Sequence, residues 1–366
     1  MMKNLNNIYL IKNFSENLNK GGNMNNPLYN KEKEEELLNL INTISIEINN
    51  NPNIPKHYFS RALQYYRLSQ LYYDILEIFL VGDKEKYFTY VNQAYNDVDK
   101  ALSFKTEIDD YAYSFKLLML KKLKKWNELI EYGKELYDSI GCTPSDIGLM
   151  GEAYFNLKEW QKCINLYTSV INEIGEKEAD NLGIEIFAER GIAYSYLEQH
   201  KQAIQDFLKD IDFNEPSIFS KYDIYSLLGA EYTELEDYEK AIWAYSEKIR
   251  IYEDDSDAYF RRGQLYCDYL NEYSLACADF DKAIMYSDND FYLLYHYCGY
   301  SYVHRGEMNM CRNNEQALKD FDRAIEMYKI SNKLQYNDEN NKEAIDNYNV
   351  TVKYAEDQKE ELLKLL

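Results

Sequence analysis

An all-α array of paired helices is what this sequence predicts, and three observations carry the prediction. Glycine and proline, the residues that punctuate strand-rich and loop-rich chains, number only 14 and 5 in 366 residues. Five segments share one spacing, a Gly followed three residues later by a Tyr: Gly151 and Tyr154, Gly191 and Tyr194, Gly229 and Tyr232, Gly263 and Tyr266, Gly299 and Tyr302, recurring every 34 to 40 residues. Each segment then carries a small residue and, four positions on, an aromatic: Cys163 and Tyr167, Ala203 and Phe207, Ala241 and Tyr245, Ala276 and Phe280, Ala317 and Phe321. Four positions is a helical interval.

Taken in order, residues 1 to 30 are polar and aperiodic and are expected to be disordered. Lys31 to Ile48 has the pattern of an amphipathic opening helix, and Pro55 to Thr106 that of a helix pair, with Tyr58, Ala62 and Tyr65 on the first member and Ala94, Val98 and Ala101 on the second. Asp109 to Cys142 reads as a degenerate unit that places Tyr113, Leu117, Leu120, Trp126 and Leu129 but lacks the Gly. Residues 31 to 143 thus form the opening helix and degenerate repeats, 144 to 331 the five clear repeats, and 332 to 366 a linker and a capping helix from Asn341.

In each clear unit the Gly falls on the packing stripe of a first helix; the small residue lets a second helix approach and the aromatic fills the space beside it. One such pair cannot bury both its faces, so successive pairs must stack. The step from Gly to small residue is twelve in three units, thirteen in the fourth and eighteen in the fifth, where His304 to Asn314 reads as an insertion expected in a turn.

The unit is similar to that of the tetratricopeptide-repeat family. The segment Tyr225-Ser226-Leu227-Leu228-Gly229-Ala230-Glu231-Tyr232, followed by Tyr238, Ala241 and Tyr245, carries the resemblance most fully, with Tyr225 where the family has Trp. Matches run from Ser145 to about Ser331. The resemblance implies an α-solenoid, a right-handed superhelix of antiparallel helix pairs, with ligands along a concave surface lined by the first helices. Two departures stand out. Only Pro216 lies near the family's closing Pro, and Asp210 and Lys248 occupy a position that is normally small, so that packing there is expected to be looser or a long stem to cover the neighbouring helix.

Composition narrows the function. A formal charge of -22 repels polyanions, which argues against nucleic acid and anionic membrane as partners. The longest apolar stretch near the N-terminus, Ile8 to Ile11, is too short for a secretion signal, and nothing approaches the ~18 apolar residues of a membrane span. A cytoplasmic location follows as the expectation, with Cys142, Cys163, Cys267, Cys277, Cys298 and Cys311 as free thiols. No phosphate-cradling loop, nucleophile elbow or H-E-x-x-H motif is present, so neither an enzyme nor a cofactor is expected. His296, Cys298 and His304, with Cys311 nearby, have a ligand-like composition, but helical phase sets Cys298 on the core stripe and the histidines on the other face, so no metal is expected either.

The same phase selects, on each first helix, positions six and three before the Gly and one, four and five after it as the lining of the concave surface. From these come the candidate partner-binding residues Glu152, Phe155, Asn156, Tyr196, Glu234, Phe260, Gln264, Asp268, His296, Tyr300 and His304. The lining positions contain no Lys or Arg. Co-chaperone members of the family grip a terminal carboxylate with Lys, Asn and Arg, and only Arg261 matches such a basic position here. The expected function is a non-catalytic scaffold for a protein or peptide segment that is cationic and partly aromatic or apolar. The alternative is a regulatory or assembly subunit of an enzyme complex whose catalytic domain lies on another chain.

Overall fold

The structure, a computed structural model, describes residues 31–79, 84–106, 108–139, 141–182, 185–213, 223–287, 292–310, 312–335 and 342–366. The tail at 1–30, Pro216 and Cys311 lie outside them. Every regular element among the described residues is an α-helix. Contacts divide the chain into one unit ending at Ile184 and another beginning at Glu185.

The first unit holds α1 (Lys31–Asn50), α2 (Pro55–Phe79), α3 (Lys84–Ser103), α4 (Tyr111–Lys122), α5 (Trp126–Ser139), α6 (Pro144–Asn156), α7 (Trp160–Ile174) and the short α8 (Glu176–Asp180). The second holds α9 (Ile186–Tyr196), α10 (His200–Phe213), α11 (Ile224–Glu234), α12 (Tyr238–Ile251), α13 (Ser256–Asp268), α14 (Tyr273–Tyr286), α15 (Tyr292–Asn309), α16 (Asn314–Gln335) and α17 (Lys342–Leu365). Consecutive helices pack as hairpins: α2 with α3, α6 with α7, α9 with α10, α11 with α12, α13 with α14 and α15 with α16.

Each clear hairpin closes on one contact. A Cβ added to Gly151, Gly191, Gly229 or Gly263 would lie 2.5–2.8 Å from a ring atom of Tyr167, Phe207, Tyr245 or Phe280, respectively. Only the missing side chain lets the ring lie against the helix backbone. Cys163, Ala203, Ala241 and Ala276 are fully buried in the same hairpins, as small residues at a close helix crossing should be.

The fifth hairpin departs from expectation instructively. The interval from His304 to Asn314 is helix for its first half and turns only from Met310: α15 stays helical to Asn309 and spans 18 residues, and its partner α16 spans 22, against 11 and 14 in α11 and α12. Both helices have grown, and each carries a doubled contact. A Cβ on Gly299 would meet the Tyr328 ring at 2.9 Å, and one on Gly306 would meet Phe321 at 2.8 Å. The spacing from Gly299 to Gly306 equals that from Phe321 to Tyr328, two helical turns, so the inserted residues continue the packing stripe instead of leaving it. On the far side of this hairpin Val352, Ala355 and Leu362 of α17 enter the same core.

Immediately before the glycine and its aromatic runs a second rung, absent from the expected motif. Arg190 pairs bidentately with Asp206, both contacts at 2.7 Å; Arg262 with Asp279, both at 2.8 Å; and Arg305 with Asp320, at 3.0 and 2.6 Å. Arg61 and Asp97 do the same at 2.7 Å, just before Ala62 and Val98, which identifies α2 and α3 as a hairpin of the same register without its glycine. The third arm of Arg262 donates to Ser246 on the preceding second helix, and that of Arg61 donates to Ser45 on α1. Thus α1 stands to α2 as a second helix stands to the next hairpin, burying Leu37, Ile41, Ile44 and Ile48 along one face. In α11 and α12 both rung partners are apolar, Leu228 and Ala244.

Lys248, expected either to loosen the packing or to lay its stem over the neighbouring helix, is buried. Its ammonium lies 2.6 Å from Asp223, 3.0 Å from Asp255 and 2.8 Å from the Ser226 hydroxyl. Asp223 and Asp255 are the N-caps of α11 and α13, so one buried cation joins the starts of two successive first helices. Burial opposes its charge, but hydrogen bonds to Asp223 and Asp255 prevail and hold it above the ordinary lysine value. Asp210, at the corresponding position of α10, is buried too.

Four of the turns between consecutive helices repeat one geometry. Lys124, Lys158, Glu198 and Glu236 adopt φ of 55–60°, and the next residue's N–H returns to the carbonyl five positions back, as Gln199 does to Tyr194 at 2.9 Å. None of the four is glycine, so each carries a left-handed penalty of about 1 kcal/mol.

Two predictions follow from this packing. Glu198→Gly should stabilise the protein by ~0.5–1 kcal/mol, relief of the left-handed strain exceeding the added unfolded-state entropy; a lower urea midpoint would contradict it. Asp206→Ala should cost about 3 kcal/mol by stranding Arg190, whereas Arg190→Leu with Asp206→Ala, copying Leu228 and Ala244, should recover much of that loss. Urea melting of the single and double variants decides between them: a double variant no more stable than the single would show that the rung is irreplaceable.

Candidate partner-binding face

On the first helices the predicted lining divides by position. Three before the Gly, the residues turn inward: Phe260 is buried against Phe280, 5.9 Å between ring centroids, and edge-on to Tyr297 at 5.8 Å. Phe260 therefore belongs to the core and not to an open lining, because the next first helix covers that position. His296, the equivalent residue of α15, is half-buried against Tyr328, and burial lowers its pKa. Five after the Gly the residues are open: Asn156, Tyr196, Glu234 and Asp268 are all exposed, Tyr196 at 66%. They occupy the last residue of their helices.

Positions in between serve contacts from one first helix to the next. Glu152 is buried and its carboxylate lies 2.6 Å from Lys121 of α4, so its charge is already matched. Ser195 of α9 donates to Glu231 of α11 at 2.5 Å, and Glu231 also meets His200 at 2.8 Å. Cys267 of α13 and Ser301 of α15 repeat the Ser195 to Glu231 placement at 3.3 Å. Burial pushes the Cys267 thiol up to about 12, which keeps it protonated and unreactive as a nucleophile at neutral pH.

In the first unit, α4 and α6 enclose a cleft of about 380 Å³. Tyr111, Ser114, Leu118 and Lys121 line it from α4, Ser145 and Leu149 from α6. Asp146 at its floor is held by a capping box with Thr143 and accepts from Ser114 at 3.1 Å. Farther along α6, Phe155 stands edge-on to Trp160 at 5.6 Å, and the Asn156 amide donates to the Glu152 carbonyl.

The second unit gathers more of the predicted residues. Gln264 is half-buried on α13 and, with Asp268, hydrogen-bonds Tyr297. Tyr300 stands edge-on to His304, centroids 4.2 Å apart, and His304 stacks on Tyr273 at 5.0 Å. His304 Nδ1 lies 2.8 Å from Glu307, whose other oxygen accepts from Tyr354 of α17 at 2.6 Å. Tyr273, Glu307, Tyr354 and Lys121 were outside the predicted set: two lie on helices other than first helices, Glu307 lies in the stretch read as a turn, and Lys121 on a unit without the marker glycine. Cys298 is fully buried in the core of this unit. Among the described residues no three His, Cys, Asp or Glu side chains converge as metal ligands, and no helix is long and apolar enough to cross a membrane.

The sequence matches no protein-family model and no curated protein. Solved structures similar to the chain include MamA, at 22% identity over 50% of this chain and 97% of that one, with a TM-score of 0.39. YrrB, described as a TPR protein with an unusual peptide-binding site, is 16% identical over 56% of this chain and 97% of its own, TM-score 0.41. The C-terminal part of a TPR repeat-containing protein from Cytophaga hutchinsonii is 16% identical over 69% and 98%, TM-score 0.46.

Proposed function

We propose that the protein is a non-catalytic scaffold that holds segments of partner proteins along the faces of its first helices, with a preference for segments that are cationic and partly aromatic. One observation carries this reading: the open ends of those helices present Tyr196, Glu234 and Asp268, and Tyr300 is exposed midway along α15, while Arg190, Arg262 and Arg305 of the same hairpins are spent on interior aspartates. Such a surface attracts basic segments over a Debye length of ~8 Å and retains them through aromatic contact. The thiols support a binding role over nucleophilic chemistry, since burial also pushes Cys277 up to about 12.

The test is titration of two labelled peptides of equal length, alternating Arg with Tyr or Glu with Tyr, at two salt concentrations. The basic peptide should bind, and bind more weakly at high salt. Glu234→Lys should act mainly at low salt, and Tyr196→Ala should weaken binding by about fivefold or more at both. Equal or tighter binding of the acidic peptide would refute the proposed preference.

A further inference from the structure

Asp268, Tyr273, Tyr300, His304 and Glu307 come together where the end of α13 and the start of α14 meet α15. Most carboxylates packed between helices in this unit have a basic partner: Asp206, Asp279 and Asp320 hold arginines, Asp281 meets Arg323, and Asp223 and Asp255 share Lys248. Asp268 and Glu307 differ. Among the described residues neither has a lysine or arginine partner; Asp268 hydrogen-bonds Tyr297 and Cys267, and Glu307 is fixed by His304 and the Tyr354 hydroxyl.

Around these two charges are the faces and edges of three rings. Tyr300 is 39% exposed, and the tilt between Tyr300 and His304 is 68°, so the two rings form a corner instead of closing on each other. Asp268 is the last residue of α13, where the negative end of the helix dipole adds to the field. Burial, and then the surrounding negative groups with Asp268 and Glu307 among them, hold the phenols of Tyr273 and Tyr300 above the ordinary tyrosine value. Two carboxylates that lack a lysine or arginine partner, beside an aromatic corner, make a receptor for a delocalised or alkylated cation.

We propose that this corner is a cation subsite that takes the basic head of an arginine or lysine side chain of a partner protein, seated between the Asp268 and Glu307 carboxylates and against the Tyr300 and His304 rings. It rests on the reading of the first-helix face as the binding face and adds the place where a basic side chain is seated.

The test uses the full chain and its four histidines, His57, His200, His296 and His304, as ring-proton reporters. Methylguanidinium chloride is titrated against sodium chloride of matched ionic strength, with His304 assigned from His304→Gln. A saturable shift of His304 that sodium chloride does not reproduce, with His57 and His200 unmoved, is the expected result. Asp268→Asn should weaken it by about fivefold or more, as should Tyr300→Ala, which keeps the question open to measurement if the first variant folds poorly. A His304 that fails to respond, or responds equally in well-folded Asp268→Asn, overturns the subsite. The Arg-Tyr peptide separates the two readings: binding that leaves His304 unmoved overturns the subsite and keeps the scaffold's preference for basic segments, whereas a methylguanidinium response without peptide binding upholds the subsite and overturns that preference.

Discussion

An aromatic ring laid on bare backbone is the contact on which this architecture depends. At Gly151, Gly191, Gly229 and Gly263 the ring occupies the space a Cβ would need, so the crossing distance of each hairpin is set by an absence on one helix and a flat side chain on the other. That distance accounts for the small residues at the crossing, Cys163, Ala203, Ala241 and Ala276, and in the Gly191 and Gly263 hairpins the same register brings a charged rung one residue ahead. In Pro55–Ser103 the same register survives with Ala62 in place of the glycine, because Arg61 and Asp97 hold it.

The arginine and aspartate rungs bear on the surface as much as on the interior. A buried ion pair gains little net stability over well-packed apolar residues, and Leu228 with Ala244 is that alternative within the same chain. What the pairs change is where charge resides. Four of the nine arginines lie in such rungs, each matched by an aspartate and withdrawn from the surface. The interior holds further acids beyond these pairs, since Asp146, Glu189, Asp210 and Glu231 are buried as well.

How much of this could be read from the sequence depended on whether a residue's role is fixed by spacing or by neighbours. Gly229, Ala241 and Tyr245 were legible because a helix turns any regular interval into a shared face. The Arg262 to Asp279 rung was not, since its members look like ordinary charged residues until the hairpin brings them to 2.8 Å. Helical phase also located the open ends of the first helices at Glu234 and Asp268, yet placed Phe260 on the lining: phase gives direction from one helix axis and is blind to the next helix that covers it. Lys248 was legible as an irregularity only, because its meaning lies in two caps on two other helices.

The lengthened pair α15 and α16 carries a consequence for how such arrays can change. Seven residues of α-helix amount to nearly two whole turns, with a drift of only ~20°. Growth by that unit returns each new side chain to the azimuth of an old one, which is why Gly306 and Phe321 can reproduce the relation of Gly299 and Tyr328. An addition of two or five residues would swing the glycine stripe far from its rings and present carboxylates to the interior. Variation in repeat length is therefore quantised by helical pitch, and a repeat can lengthen inside its helices, without a loop, while its neighbours on either side meet the same surface as before.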